Sequence, residues 1–327
     1  MHEVSRALSR LIGIPSLGSS RKEVLCRQVT TLYIRRMEPA RQVTNKIFFN
    51  PDEIEIIVDV GGSGLQVYQK TVDSTYRLIV DLEITTDPSS INEWLCRHVL
   101  RLTADHARIV LGIPGPVEDE QEEVYCPPLD ASIALGIYRS AGITIVNDTI
   151  AHLLIYWNET MALTRQGSIL TVGTSLGLCT YEIDNKTGLL DMSRVMSHEI
   201  AHDMTVHYRS QIHPQIFPSA STSLGAVFSM AALARLFNKT TTPIANNLSR
   251  VSKEVTKTII PDLVNSEIFA QWLESLNMCV NSYLKGKALQ NCTHEIFISG
   301  GLAVVVSQET YLRDTVKRAG FRLLKND

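Results

Sequence analysis

The sequence predicts an α/β protein of two domains, each opening on a set of β-strands and closing on helices. Two observations carry this. Apolar, strand-like runs end three times on glycine-containing turns, at Ile54–Gly64, at Ser168–Gly177 and at Glu295–Gly301. Between those turns the apolar spacing changes from the period of a strand to that of a helix, in a βββαβα-like order that is read twice. The length of 327 residues suits two domains, each with its own core.

The elements follow in order. Ile54–Asp59 reads as a strand. Leu65–Gln69 and Tyr76–Asp81 read as its antiparallel neighbours. Ser89 to Asp105 places Ile91, Leu95, Val99 and Leu102 on one helical face, with Pro88 and the serines after it as a start signal. Ala107–Gly112 and Ile143–Asn147 are further strands, and Thr149 to Leu163 is one helix. In the second half, Ser168–Gly173 and Leu178–Ile183 form a hairpin-like pair. Asp184 to Gly188 is a turn. Ser223 to Phe237 and Glu267 to Leu284 are helices, Glu295–Ser299 is a strand, and Ser307 to Arg318 is a helix.

Residues 1–50 stand apart. They hold nine Lys or Arg against three Glu, a formal charge of +6 inside a chain of net charge −3. Two short helical patterns broken at Ile14–Ser20 predict a basic helical extension. An organelle-targeting arm and a helix-turn-helix are the alternatives.

Composition narrows the function classes. The chain is 44% hydrophobic and 20% charged, as ordinary globular proteins are. Its net charge argues against a general nucleic-acid binder, and no nucleic-acid partner is expected. No apolar run reaches the roughly 18 residues of a membrane span, so no membrane association is expected. The six cysteines form no CxxC pair and several lie in apolar runs. They read as free buried thiols, which implies a reducing, cytoplasmic compartment.

Several segments carry candidate chemistry. A strand that turns sharply through Gly61, Gly62, Ser63 and Gly64 exposes backbone N–H groups that cradle an anion. Asp59 before that turn could hold Mg²⁺ through water. The spacing is neither a P-loop nor a dinucleotide fingerprint. Gly173, Thr174, Ser175 and Gly177 repeat the device in the second half. Asp148, after Asn147 at a strand-to-helix junction, reads either as an N-cap or as a general base. Gly112 to Val117, with Gly115 and Pro116, is a rigid loop at the same sheet edge. His198-Glu199-Ile200-Ala201-His202 admits three readings: surface histidines, substrate contacts or a zinc site. Two glycine turns for a polyphosphate, a third near a nucleoside and one carboxylate base point together to phosphoryl transfer.

In this order the residues resemble a known family. Asp59–Gly64, Asn147–Asp148, Gly173–Gly177 and Ser299–Gly301 are similar to the phosphate-1, connecting, phosphate-2 and adenosine motifs of the actin-like ATPase superfamily. Gly112-Ile113-Pro114-Gly115-Pro116 and His198–His202 resemble the GxPGP and GExGH signatures of the ROK and glucokinase group. The resemblance runs over about residues 52 to 320. It implies two ribonuclease-H-like domains with a nucleotide cleft between them. The divisions it implies are an extension at 1–51, a small domain at 52–149 rejoined by 310–327, and a large domain at 150–309.

The resemblance further implies ATP and Mg²⁺ as cofactors, and transfer of the γ-phosphoryl group to a hydroxyl of a hexose, modified sugar or cyclitol. Asp148 would be the catalytic base. Asn147, Glu199, His202, Gly115 and Pro116 would bind the sugar. Asp59, Gly61, Gly62, Ser63, Gly173, Thr174, Ser175, Gly300 and Gly301 would bind the nucleotide, with Asp59 toward the metal. The family's zinc cysteines are absent, which implies no structural zinc. Some members are non-catalytic, sugar-sensing regulators, which is the alternative function. A homodimer is a further expectation from the family.

Overall fold

The computed structural model describes residues 51–324 except 85–86, 119–120, 185–189, 191–193, 199, 204–222, 244–248 and 287–294. The basic extension at 1–50, Glu199 and most of the turn after Asp184 therefore lie outside the described residues.

The first sheet has five strands in the order β3-β2-β1-β4-β7. These are β1 (Ile56–Val60), β2 (Gly64–Lys70), β3 (Tyr76–Glu83), β4 (Ile109–Ile113) and β7 (Thr144–Asn147). Every residue of β1 is buried. The reason is its position: it pairs antiparallel with β2 on one side and parallel with β4 on the other. The small hairpin of β5 (Glu123–Cys126) and β6 (Ala131–Ala134) lies between β4 and β7 in sequence. Helix α1 (Ile91–Val99) buries Ile91, Leu95 and Val99, but the expected continuation to Asp105 is a 3-10 turn (Leu100–Ala104) in which Leu102 is not buried. A short helix, α2 (Gly136–Ser140), precedes β7.

The second sheet repeats the pattern as β10-β9-β8-β13-β14. Here β8 (Gln166–Val172) pairs antiparallel with β9 (Leu176–Glu182) and parallel with β13 (Glu295–Ser299). The outer strands are β10 (Met196–His198) and β14 (Arg322–Leu323), and a two-residue pair, β11 (Thr242–Pro243) with β12 (Ser249–Arg250), stands apart. A hairpin plus parallel strands thus occurs twice, as the doubled glycine turns predict.

Between the sheets runs α3 (Asp148–Ile155). Residues Thr149 to Ile155 are all buried, because the helix packs on β1 and β4 of the first sheet and on β8 and β9 of the second. A helix apolar on all sides has no solvent face to turn outward. One glycine from each sheet makes the approach close enough. A Cβ on Gly112 of β4 would lie 2.5 Å from the Ala151 Cβ, and one on Gly177 of β9 would lie 2.2 Å from the Thr149 Cγ2.

The remaining helices follow, and all but the first build the core beside the second sheet. They are α4 (Trp157–Leu163), α5 (Ile200–Asp203), α6 (Leu224–Phe228), α7 (Met230–Leu236), α8 (Lys253–Thr258), α9 (Ile260–Leu263), α10 (Glu267–Gly286), α11 (Gly300–Ser307) and α12 (Thr310–Arg318). Trp272 anchors the layer: it is buried, and its indole N–H donates to the Val227 carbonyl at 3.0 Å. Among the described residues no helix is long and apolar enough to cross a membrane. Cys126, Cys179 and Cys279 are buried free thiols and Cys96 is half-buried.

Four further expectations need correction. The helix expected over 149–163 breaks at Tyr156, whose φ of −100° and ψ of 16° leave the helical region. The helix expected over 223–237 breaks at Ser229, which caps α7 by accepting from the Ala232 N–H at 3.2 Å. Gly300 and Gly301 open a full helix, α11, where only a turn was expected. Finally, the segment from 310 does not rejoin the first sheet. Leu312, Val316 and Phe321 pack into the second core, and β14 pairs with β13.

A Gly112→Val substitution tests the close approach of α3. Overpacking against Ala151 should cost about 1–3 kcal/mol. A lowered urea midpoint with unchanged slope is the expected result, and an unchanged midpoint would contradict the packing described.

Candidate active site

The ends of β1, β8 and β13 converge with the start of α3 on one cavity of about 300 Å³. The turn after β1 closes through a bond from the Gly61 N–H to the Gly64 carbonyl at 2.9 Å. The turn after β8 closes through the Gly173 N–H and the Ser175 carbonyl at 3.0 Å. These two turns meet: a Cβ on Gly62 would lie 2.7 Å from the Thr174 Cβ.

Most of the sequence-derived site residues line this cavity. From the first turn come Asp59, Gly61, Gly62 and Ser63; from the second, Gly173, Thr174 and Ser175. Gly300 and Gly301 at the head of α11, Gly115 and Asp148 complete the set. Three other predicted residues are not among the described lining residues. Pro116 is exposed. His202 sits on α5, and Glu199 lies outside the described residues.

Asn147 has a framework position. It is the N-cap of α3, with its Oδ1 accepting from the Thr149 N–H at 3.0 Å. The same oxygen accepts from the hydroxyls of Thr149 at 2.5 Å and Ser197 at 2.7 Å. Its Nδ2 donates to the Gly115 carbonyl at 2.8 Å. One side chain thus ties α3 to the loop after β4 and to β10. Asp148 is accordingly the first helical residue, and the N-cap reading belongs to Asn147.

The centre of the site is electrostatic. His152 is one turn along α3 from Asp148. Its Nε2 lies 3.2 Å from Asp59 Oδ2, and both side chains are more than nine-tenths buried. Burial, the largest influence on the imidazole, opposes its protonation. The charge of Asp59, its hydrogen bond and the charge of Asp148 together outweigh burial and raise the His152 pKa. Asp148 is pushed up to about 7. Burial is the main cause and the Asp59 charge adds to it, while His152 and two backbone N–H groups pull the other way. A carboxylate so tuned holds and releases a proton near neutral pH.

Three buried polar atoms on this cavity have no hydrogen-bond partner among the described residues: Asp59 Oδ1, His152 Nδ1 and Ser175 Oγ. Buried polar atoms are rarely left unpaired. Asp59 Oδ1 suits a water of a hydrated Mg²⁺, an ion that keeps most of its waters and takes few protein carboxylates. Among the described residues no group of three or more His, Cys, Asp or Glu could hold a metal ion.

His152 escaped the sequence reading. Its signal is one polar residue inside an otherwise apolar helix, which a satisfied core histidine would also give. His198 also differs from expectation: it is buried, with Nδ1 3.1 Å from the Tyr283 hydroxyl and Nε2 3.3 Å from the Thr180 hydroxyl. It is a brace between β10 and α10.

No protein-family model and no curated protein matches the sequence. Solved structures do. A ROK family glucokinase from Streptomyces griseus, solved with glucose and AMPPNP, matches with a TM-score of 0.52 at 15% identity, over 83% of this chain and 93% of that one. An N-acetylmannosamine kinase candidate from Listeria monocytogenes matches with a TM-score of 0.50 at 16% identity, over 82% and 91%. A ROK family transcriptional regulator matches with a TM-score of 0.48 at 16% identity, over 81% and 69%. The chain therefore has the mixed α/β fold of the ROK and glucokinase-like sugar kinases.

Replacing His152 by Ala would leave the Asp59 carboxylate buried and unpaired, at a cost of about 3–5 kcal/mol. Denaturant unfolding should show that loss, and it should shrink in the Asp59→Asn/His152→Ala double variant. Equal losses in both would show that the unpaired Asp59 charge is not the source of the cost.

Proposed function

We propose that the protein is an ATP-dependent kinase that transfers the γ-phosphoryl group to a hydroxyl of a sugar or cyclitol. One observation carries this reading: Asp148, a carboxylate held near pKa 7, opens onto a cavity shared by two glycine turns and the head of α11. A half-buried base beside an anion cradle is the arrangement phosphoryl transfer to an alcohol needs. The fold agrees with it, and the glucokinase neighbour was solved with glucose and AMPPNP.

Each residue then has a task. Backbone N–H groups at Gly61–Ser63 and Gly173–Ser175 take the phosphate oxygens. The Ser175 hydroxyl, without a partner among the described residues, is one more donor to them. Asp59 Oδ1 would hold a water of the nucleotide's Mg²⁺, while His152 fixes its other oxygen. When bound, that ion neutralises charge on the phosphates. Gly300 and Gly301 border the nucleoside.

Asp148 accepts the proton of the acceptor hydroxyl as its oxygen forms a bond to the γ-phosphorus. The bond from that phosphorus to the β-phosphate oxygen breaks, which gives ADP and the sugar phosphate. Asn147 sets the position of Asp148 by capping its helix. The sugar side would be completed by Glu199 and His202. The protein would work in the cytoplasm.

Asp148→Asn should lower kcat by about 10²–10⁴ with sugar affinity retained. In the unaltered protein, kcat/KM should rise with pH as the Asp148 carboxyl loses its proton, with its midpoint near 7. Steady-state kinetics across pH 5 to 9 checks both (a range set around that value). Full turnover in the Asn variant would remove Asp148 from the chemistry.

A further inference from the structure

A nucleotide brings a polyanion into a cavity already lined by three carboxylates, Asp59, Asp81 and Asp148. The turn amides supply dipoles but no net charge. The imidazole of His152 is committed to Asp59 at 3.2 Å. Among the described lining residues, two other side chains carry positive charge, and both come from α8 (Lys253–Thr258): Lys253 and Lys257.

Their placement is specific. Four residues apart on a helix, they share a face, and Thr256 beside them lines the cavity too. Helix α8 packs against α11, which gives Gly300, Gly301 and Val304 to the same wall. The lysines therefore stand on the nucleoside side of the cavity and not on the side of the loop at Gly115. Lys253 reaches across to the first sheet, where its Nζ lies 2.5 Å from Asp81 Oδ1 on β3. Gln66 Nε2 donates to the same oxygen at 3.3 Å. Lys257 is exposed and has no ion-pair partner among the described residues.

Lys253 and Asp81 are both more than a third exposed. Pairs this exposed are weak and screened by salt. A phosphate chain offers more charge and more acceptor oxygens than one carboxylate. Resting on the nucleotide reading above, we propose that Lys253 and Lys257 bind the phosphate chain of the donor nucleotide, and that Asp81 is the competing anion for Lys253. Asp81 thereby sets a threshold: ligands with several phosphates take the amine from it, and a neutral nucleoside does not.

Calorimetric titration of the full chain with AMPPNP, adenosine and glucose 6-phosphate tests this. Lys253→Gln and Lys257→Gln should each weaken AMPPNP binding about tenfold, the size of one charge-assisted hydrogen bond. The loss should diminish at high salt, and adenosine affinity should not change. Asp81→Asn should tighten AMPPNP binding severalfold, because it releases Lys253 and removes a negative charge. If both lysine variants bind AMPPNP like the unaltered protein, the assignment fails. If Asp81→Asn weakens binding as Lys253→Gln does, the pair is a tie across the cleft and the competition is wrong. If the lysines govern glucose 6-phosphate in place of AMPPNP, the phosphate they hold is the acceptor's. Absence of AMPPNP binding by the unaltered protein would overturn the nucleotide reading itself, a result distinct from silent lysine variants.

Discussion

The buried pair of Asp59 and His152 joins the two parts on which the site depends. Asp59 is the penultimate residue of the central strand of the first sheet, and His152 belongs to the helix wedged between both sheets. A charge in that interior is tolerated only when paired and hydrogen-bonded. The pair therefore fixes the rotation of α3 about its axis. Asp148 lies one turn earlier on the same helix, so its place over the cavity follows. Its proton affinity follows too, since Asp59 raises it and His152 restrains it.

Around that pair the fold is a repeated device. Each sheet carries an antiparallel hairpin whose turn faces the cavity, and each continues into parallel strands. Two such turns brought into contact at Gly62 and Thr174 make a cradle that neither half has alone. Asn147 adds a third tie by linking the helix to the loop at Gly115 and to Ser197 on β10. The same groups hold the halves together and shape the site.

Much of this is legible in the sequence where local physics decides. Strand-turn-strand runs through glycine announce themselves, because few other residues permit such turns. The strands read between Ile54 and Ile183 lie close to where periodicity puts them, but the β5–β6 hairpin is not read. What is illegible depends on distant partners. The break at Tyr156 comes where α3 leaves its slot between the sheets, and nothing nearby in sequence signals it. Ser229 could have been read as a cap, but the apolar spacing runs through it on both sides. The docking of residues 310–323 on the second sheet is decided by which core lacks cover. His152 and the lysines of α8 carry no motif, and only the fold aims them at the cavity.

The most direct test of this account is Mg²⁺-dependent ATP turnover by the full chain across a panel of hexoses, amino sugars and cyclitols. The account predicts strong stimulation by at least one acceptor, with phosphate recovered on it. Tight ATP binding with no stimulation by any of them would contradict a kinase built around Asp148.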